Sequence, residues 1–461
     1  MTRTPFRDLI ESRHPHHESR RAFWRLAWQS FQGGADYLTA SNLFSHRLEH
    51  AADHRRRLAR AFHLNYCRPV VDTYVASIFR VGPTILPEAG ASALLADADG
   101  RGHGLVDVMK RALTLAAVYG HVVIGVDRPR TDARPATVAD ELALGLRSYL
   151  YLVQPSDFLN WNADGAGGLE WALVRERRRD VSRTSAGTPA DGERTRYRLW
   201  TANGWTLIDE TGECVDEGDH PFGRVPFVSC RFREGDDPVV GESLLSSIVY
   251  VNREIFNLGS LLGEILYRQT FSQLVAEGSA AEYGENGDIS RLGTSSIFLY
   301  PEGRRAPEFI NPDAAQADLL MRRIDALIDE IYRLASLSRG SAREGRVQSG
   351  ISKAFDFLDT NHALADAADN LARAFERALA IAAPDWNARI RFPGDFGVSE
   401  PSALLDETER TLGLGVGPVF RRRVLERLAR AVLRELPADQ RGEVLREIAT
   451  ESDTNDTTDA S

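Results

Sequence analysis

The chain has 461 residues, of which 43% are hydrophobic and 26% are charged, and its formal net charge is −10. This length predicts several subdomains, and the composition is typical of a soluble globular protein. An acidic chain is not expected to grip nucleic acid tightly through phosphates, and no window offers the roughly twenty apolar residues of a membrane span. The N-terminus lacks the apolar stretch of a secretory signal, and three widely spaced cysteines predict reduced thiols.

The first thirty residues predict a mobile or loosely helical arm. Its HPHH run, from His14 to His17, has no further metal ligand at a suitable spacing, and Pro15 interrupts any helical register. We therefore expect a solvated polar arm and no metal site. A helix with a basic face is predicted from Ser41 to Phe62.

An α+β domain with an antiparallel sheet is predicted over residues 65–235. It begins with a buried helix in NYCRPVVDTYVASIF and a short strand after Gly82-Pro83. A second helix spans Leu105 to Tyr119, is closed by Gly120 and leads into the strand HVVIGVD. Further strands are predicted in SYLYLV, LEWALVRERRRD, RYRLW, GWTLI and PFVSCRFRE, with a tight turn at Asn203-Gly204.

Two helices with apolar stripes follow, at residues 241–271 and 313–338, and β-rich sequence separates them. Apolar residues recur in both at steps of three and four, so each helix has one apolar side. Neither can bury its stripe alone, so each needs a partner helix in this chain or in another copy. Asp236-Asp237-Pro238 is expected to cap the first helix. Short strands are predicted at residues 272–278, 296–303 and 307–312.

The rest of the chain reads as a basic loop, a long helix and a helical end. The loop SRGSAREGRVQSG precedes a helix over residues 351–383, which Pro384 ends. NARIRFPGDFGV is a strand that could add to the earlier sheet. Helices are predicted from Pro401 to Thr450, and the last twelve residues are acidic and polar, which is typical of disorder.

No catalytic motif emerges from the sequence. It contains no GxxxxGK[ST] phosphate loop, no HExxH, no GxSxG and no CxxC. The GRGHG segment follows no strand, so an ordinary loop is expected there. The isolated His121 and His362 are expected to be structural. These observations favour a protein that is not an enzyme and needs no cofactor.

The order of the predicted elements resembles the portal proteins of tailed bacteriophages and related prophages. In that family a mixed α+β wing precedes a stem helix, a β-rich clip, a second stem helix, a tunnel loop, a long wing helix and a helical crown. The phrases NYCRPVVDTYVASIF, ALTLAAVYGHVVIGVD, PSDFLNW, PVVGESLLSSIVYVNREIFNLGS and QSGISKAFDFLDTNHALADAADNLARAFERAL are also similar to it.

The resemblance implies a division of the chain into portal-type parts. The N-terminal arm and wing would be 1–240, the stem helices 241–271 and 313–338, the clip 272–312 and the tunnel loop 339–350. The wing helix and strand would be 351–400, and the crown and acidic tail 401–461. Three sets of site residues follow: tunnel-loop residues nearest DNA (Arg339, Arg343, Arg346 and Gln348), a stem interface (Leu258, Leu262, Ile265, Ile324, Leu327 and Ile331) and docking residues of the clip (Phe298, Tyr300 and Phe309).

Membership of that family would make this chain part of a ring, typically of twelve copies, at one capsid vertex. The ring would work with the major capsid and scaffolding proteins, the terminase large subunit and later a head-completion adaptor. Double-stranded DNA would pass through it without sequence specificity. It would lie in the virion, and in the host cytoplasm during assembly, with no membrane partner. Two alternatives stay open: a cytosolic coiled-coil adaptor or scaffold, and an unrecognised enzyme of nucleic-acid metabolism with its site in the α+β domain.

Overall fold

The computed structural model describes residues 6–87, 92–129, 146–165, 168–183, 189–269, 273–275, 308–310, 314–337, 350–394, 396, 401–413, 417–433, 443–444 and 447–448. Helices and antiparallel strands alternate irregularly along these residues, which confirms the α+β fold class. The chain divides into two compact units. We call residues 1–28, 67–247 and 332–461 the α+β unit, and residues 29–66 and 248–331 the helix-rich unit.

The described helices follow in chain order. They are α1 (Arg7–Glu11), α2 (Pro15–Gln32), α3 (Ala51–Arg60), α4 (Cys67–Ile78), α5 (Ser92–Ala96), α6 (Leu105–Tyr119), α7 (Ile248–Gln269), α8 (Ala314–Leu334), α9 (Gly350–Ala382), α10 (Pro401–Leu412) and α11 (Pro418–Val432). None of these described helices is both long and apolar enough to cross a membrane.

The described strands form four antiparallel sheets. They are β1 (Thr84–Leu86), β2 (His121–Asp127), β3 (Tyr149–Val153), β4 (Phe158–Ala163), β5 (Leu169–Arg183), β6 (Pro189–Thr201), β7 (Gly204–Ile208), β8 (Cys214–Asp219), β9 (Phe227–Arg231), β10 (Gln273–Val275), β11 (Glu308–Ile310) and β12 (Arg389–Arg391). The strand orders are β3-β2-β9, β4-β5-β6-β7-β8, β1-β12 and β10-β11.

Two of these sheets face each other in the α+β unit. The apolar cluster between them takes Val123 and Phe227 from the three-stranded sheet and Val174 and Trp200 from the five-stranded sheet. Side chains alternate along a strand, so Val122 and Ile124 of β2 point the other way, and both are fully buried. Helices α6 and α9 both pack on β2. The predicted antiparallel sheet is therefore present as two packed layers with helices beside them.

The end of α6 is fixed by one glycine. Gly120 has a φ of +99° and caps the helix through its N–H, which donates to the carbonyl of Ala116 at 2.7 Å. A Cβ at this position would lie 2.4 Å from the carbonyl oxygen of Gly241. Both the left-handed backbone and the close approach therefore require glycine here.

The prediction of a solvated N-terminal arm is wrong, because α2 is a packed helix. The ring of His14 stacks on that of Trp161 with centroids 3.9 Å apart. The backbone N–H of His14 donates to the carbonyl of Leu159 at 3.0 Å. His17 is 3% exposed, and Trp24 is buried with its Nε1 donating to the carbonyl of Tyr119 at 3.1 Å. The aromatic side chains of this segment supply an apolar side that its many charges hid in the sequence.

Several boundary predictions are also corrected. The helix predicted from Ser41 to Phe62 is helical only in α3, and the first stem helix begins at Ile248 and not near 241. Asp237 does not cap that helix, because its Oδ1 accepts the N–H groups of Val239 and Val240, both at 2.8 Å. Strand β12 pairs with β1 in a separate ribbon and does not extend the earlier sheet.

Candidate assembly site

The described residues offer little for catalysis. They contain no group of three or more His, Cys, Asp and Glu side chains placed to hold a metal ion. Burial raises the pKa of the Cys67 thiol and of the Cys230 thiol to about 12. Reactive cysteines have lowered pKa values, so these two thiols stay protonated and inert.

Helix α7, the first predicted stem helix, is anchored in the helix-rich unit by two buried asparagines. Asn252 accepts the N–H of Tyr66 at 2.9 Å and donates to the carbonyl of Leu64 at 3.0 Å. Asn257 accepts the N–H of Phe44 at 2.8 Å and donates to the carbonyl of Asn42 at 2.9 Å. Each amide satisfies one donor and one acceptor of an irregular backbone segment, so α7 is tied to residues 42–66 by directional bonds.

A buried ion pair gives α7 a third anchor. The guanidinium of Arg57 donates to both carboxylate oxygens of Glu49, each at 2.8 Å. It also donates to the carbonyl of Phe44 at 2.7 Å and to the hydroxyl of Ser260 at 3.0 Å. The hydrogen bond from Arg57 lowers the pKa of Glu49 to about 2. Four bonds from one side chain therefore join α3, the loop before it and α7.

An aromatic stack completes this core. The rings of Tyr37 and His63 are stacked with centroids 3.6 Å apart, and Phe256 of α7 packs edge-on against Tyr37 at 5.2 Å. Burial lowers the pKa of His63 to about 4, so its ring is neutral at pH 7. The anchored side of α7 thus combines aromatic packing with the hydrogen bonds of Asn252, Asn257 and Arg57.

The other side of α7 presents apolar side chains to the surface. Leu258, Leu262 and Ile265 are each partly exposed. Tyr250 is 48% exposed and Leu261 is 43% exposed. At 100° per residue these five positions fall within an arc of about 120° on one side of the helix, which they share with the exposed Glu254. We call this set the α7 face.

The second predicted stem helix, α8, differs from α7. Leu327 and Ile331 are buried within the chain, and Ile324 is partly exposed. Buried side chains have no exposed area that a second copy could cover. Leu327 and Ile331 are therefore left out of the proposed interface between copies. Leu319 and Met321, near the start of α8, are its exposed large apolar residues among those described.

The remaining predicted site residues fall mostly outside the described residues. This is the case for the tunnel-loop residues Arg339, Arg343, Arg346 and Gln348, and for Phe298 and Tyr300. The third clip residue, Phe309, lies in β11 and is in register with Leu274 of β10. Two of the three predicted clip strands thus correspond to a described antiparallel pair.

No protein-family model and no curated protein matches this chain. Among solved structures, a chain of the virion of a native gene transfer agent particle is similar, with 11% identity and a TM-score of 0.41, over 80% of this chain and 89% of that chain. A chain in the neck of the empty particle, computed with C6 symmetry, has 11% identity and a TM-score of 0.43, over 80% and 90%. A third, in the neck of the native particle computed with C12 symmetry, has 11% identity and a TM-score of 0.38, over 75% and 84%. All three come from gene transfer agent particles.

The anchors of α7 were missed in the sequence, although a signal for them was present. Asn252 and Asn257 interrupt the apolar stretch IVYVNREIFNL at positions that face the core. Asparagine is a poor helix former, so its presence on a buried helix side indicates a specific hydrogen-bond partner. Arg57 lay in a basic run that reads as a solvated face, and only the fold brings Glu49 and Ser260 around it.

Proposed function

We propose that this chain is the subunit of a portal ring that serves as a DNA channel at one vertex of a virus-like capsid. The α7 face carries the proposal, because it is a partly exposed apolar surface on a helix whose opposite side is firmly anchored. A neighbouring copy covers this face in a heterologous contact, and repetition of that contact closes a ring. The 22 residues of α7 make a wall of about 33 Å.

The order of the elements supports the same function. An α+β unit, a striped helix, a β-ribbon, a second striped helix and a long helix follow one another as in portal proteins. In the proposed ring of twelve copies, α7 and α8 form the stem, and β10 and β11 belong to the clip. Helix α9 returns to the wing, and α10 and α11 lie in the crown.

The clip is the proposed docking surface for partners outside the capsid. It meets the terminase large subunit during packaging and a head-completion adaptor afterwards, with Phe298, Tyr300 and Phe309 as contact residues. The major capsid and scaffolding proteins are further proposed partners of the ring. The chain itself hydrolyses nothing in this scheme, and the motor ATPase belongs to the terminase.

The charge of the chain fits a conduit for DNA. Each strong phosphate contact adds salt-dependent affinity, which would slow the sliding of DNA. The net charge of −10 opposes tight phosphate binding by the chain as a whole. Arg339, Arg343 and Arg346 of the tunnel loop are the proposed positions of phosphate contact, and we refer to them as the loop arginines.

Negative-stain electron microscopy of the purified full chain tests the proposal. Hollow rings with an axial channel are expected. Monomers or compact dimers at high protein concentration would contradict the portal function. That outcome would favour the alternative of an adaptor that uses α7 and α8 as a coiled-coil arm.

A further inference from the structure

A cavity of about 400 Å³ opens at one margin of the α+β unit, far in sequence from the α7 face. Asp127, Tyr149 and Tyr151 line it from the three-stranded sheet. Glu176, Arg196 and Arg198 line it from the five-stranded sheet. The two sheets share an apolar core, and at this margin the facing side chains become polar and charged. The cavity is therefore the open end of the interface between the sheets, and we call it the arginine pocket.

The floor of the arginine pocket consists of the two tyrosines and a carboxyl group. Tyr151 lies against Gly125, where an added Cβ would be 2.4 Å from the ring. The hydroxyl of Tyr149 donates to Oδ2 of Asp127 at 3.2 Å. Burial raises the pKa of Asp127. The floor thus offers aromatic surface and one partly buried carboxyl group.

The walls of the pocket carry more positive than negative charge. Arg198 is already engaged, because its Nε lies 2.7 Å from a Glu176 oxygen and its guanidinium lies 4.4 Å from the centroid of the Trp205 ring. Arg177 also borders the cavity, but side chains alternate along β5, so its guanidinium lies on the opposite face from Glu176, 3.8 Å from Asp157. The guanidinium groups of Arg101 and Arg196 have no hydrogen-bond or ion-pair partner among the described residues. Arg101, Arg196 and Arg198 against Asp127 and Glu176 leave a net charge of +1 in the cavity.

We propose that the arginine pocket binds a phosphoryl compound of about nucleotide size. Guanidinium groups match phosphate oxygens in pairs, and Arg101 and Arg196 approach the cavity from separate segments of the chain. Tyrosine rings beside such arginines suit the stacking of a base. The volume lies at the lower end of the range for small-molecule sites, whereas a duplex is too wide to enter. The pocket is independent of the proposed ring contact.

Isothermal titration of the full chain at low salt tests this site, with inorganic pyrophosphate and adenosine monophosphate as separate probes. Saturable binding of at least one probe is expected, and it weakens as salt is added. Tighter binding of the mononucleotide would indicate that a base stacks on the tyrosines, and equal or tighter binding of pyrophosphate would indicate recognition of the phosphoryl group alone. Both rankings support the site.

Variants separate the pocket from general charge effects. Arg196→Gln and Arg101→Gln are each expected to weaken binding by about tenfold or more, because each removes charged hydrogen bonds to the ligand. Arg56→Gln is the matched control, since Arg56 is an exposed arginine of α3, paired with Asp53 outside the pocket, and it should bind like the unmodified chain. Thermal unfolding verifies that each variant is folded. Absence of saturable binding by both probes, or equal binding by Arg196→Gln and Arg56→Gln, would overturn the proposal.

Discussion

Replacement of Arg57 by Met should weaken the attachment of α7 strongly, because it breaks a buried ion pair. Methionine keeps most of the apolar part of the arginine side chain, so the loss is that of the charge and its hydrogen bonds. The variant leaves Glu49, with a side chain 14% exposed, without its cation. It also removes the bonds to Phe44 and Ser260. Removal of one partner of a buried pair costs about 3–5 kcal/mol, and we expect the lower end since water can reach Glu49. Arg56→Met, on an exposed and paired side chain, should cost at most about 0.5 kcal/mol.

Hydrogen–deuterium exchange measures this effect where it occurs. The free energy of opening of residues 42–66 and 248–265 should fall by about 3 kcal/mol in Arg57→Met, while α6 and β2 keep their protection. The double variant with Glu49→Gln should recover part of the loss, because the stranded carboxylate is then absent. Equal exchange in Arg57→Met and Arg56→Met would refute the assignment of Arg57 as an anchor of α7.

The same pair predicts a response to acid. The folded-state pKa of Glu49 is about 2, below the usual value of 4.5. Its stabilising contribution is therefore fully present above about pH 4.5 and is lost as the pH falls towards 2. In Arg57→Met the decrease in opening free energy that comes from protonation of Glu49 should be absent. Hydrogen–deuterium exchange measured at pH 5 and at pH 3 tests this.

Three further predictions concern other parts of the chain. Gly120→Ala should lower the free energy of unfolding by at least about 2 kcal/mol more than Gly102→Ala. Both positions have a positive φ, but only at Gly120 would the added Cβ meet backbone atoms. Equal urea midpoints of the two variants would contradict this. Burial lowers the pKa of His121 to about 3 in the folded chain. Between about pH 6.5 and pH 3 the His121 ring is therefore protonated in the unfolded chain but neutral in the folded chain. Stability should fall from pH 6.5 towards 3, less steeply in His121→Gln, and identical slopes would contradict the assignment. Replacement of all three loop arginines by Ala should leave ring assembly intact but change the length or retention of packaged DNA, and unchanged packaging and particle stability would refute their role.

Much of the fold could be predicted from periodicity and turn chemistry. The α6 helix, its glycine stop and the following strand lie where the sequence predicted them. Strands β5 and β6 were also predicted, although β6 begins earlier than RYRLW, at Pro189. Local signals suffice in such segments, since hydrophobic period and backbone preference agree.

The failures have a common physical cause, which is burial that depends on distant residues. The HPHH segment looked solvated, yet Trp161 covers His14 from a strand almost 150 residues later. The stripe of α8 was expected to lie in an interface between copies, but Leu327 and Ile331 are buried within the chain. The arginine pocket could not be predicted either, because its walls come from separate strands and a loop. The alternating arginines of RTRYRL, in β6, were a signal for it.

Mass photometry of the full chain beside a Leu258→Glu variant tests the central claim most directly. The account predicts rings of about twelve copies for the unmodified chain and their loss in Leu258→Glu, because a charge on the α7 face cannot be buried against a neighbour without a partner. Circular dichroism should show that the variant is folded. Val215→Glu, at an exposed apolar residue of β8, is the control that should keep the ring. Normal rings from Leu258→Glu, or no rings from the unmodified chain, would contradict the account.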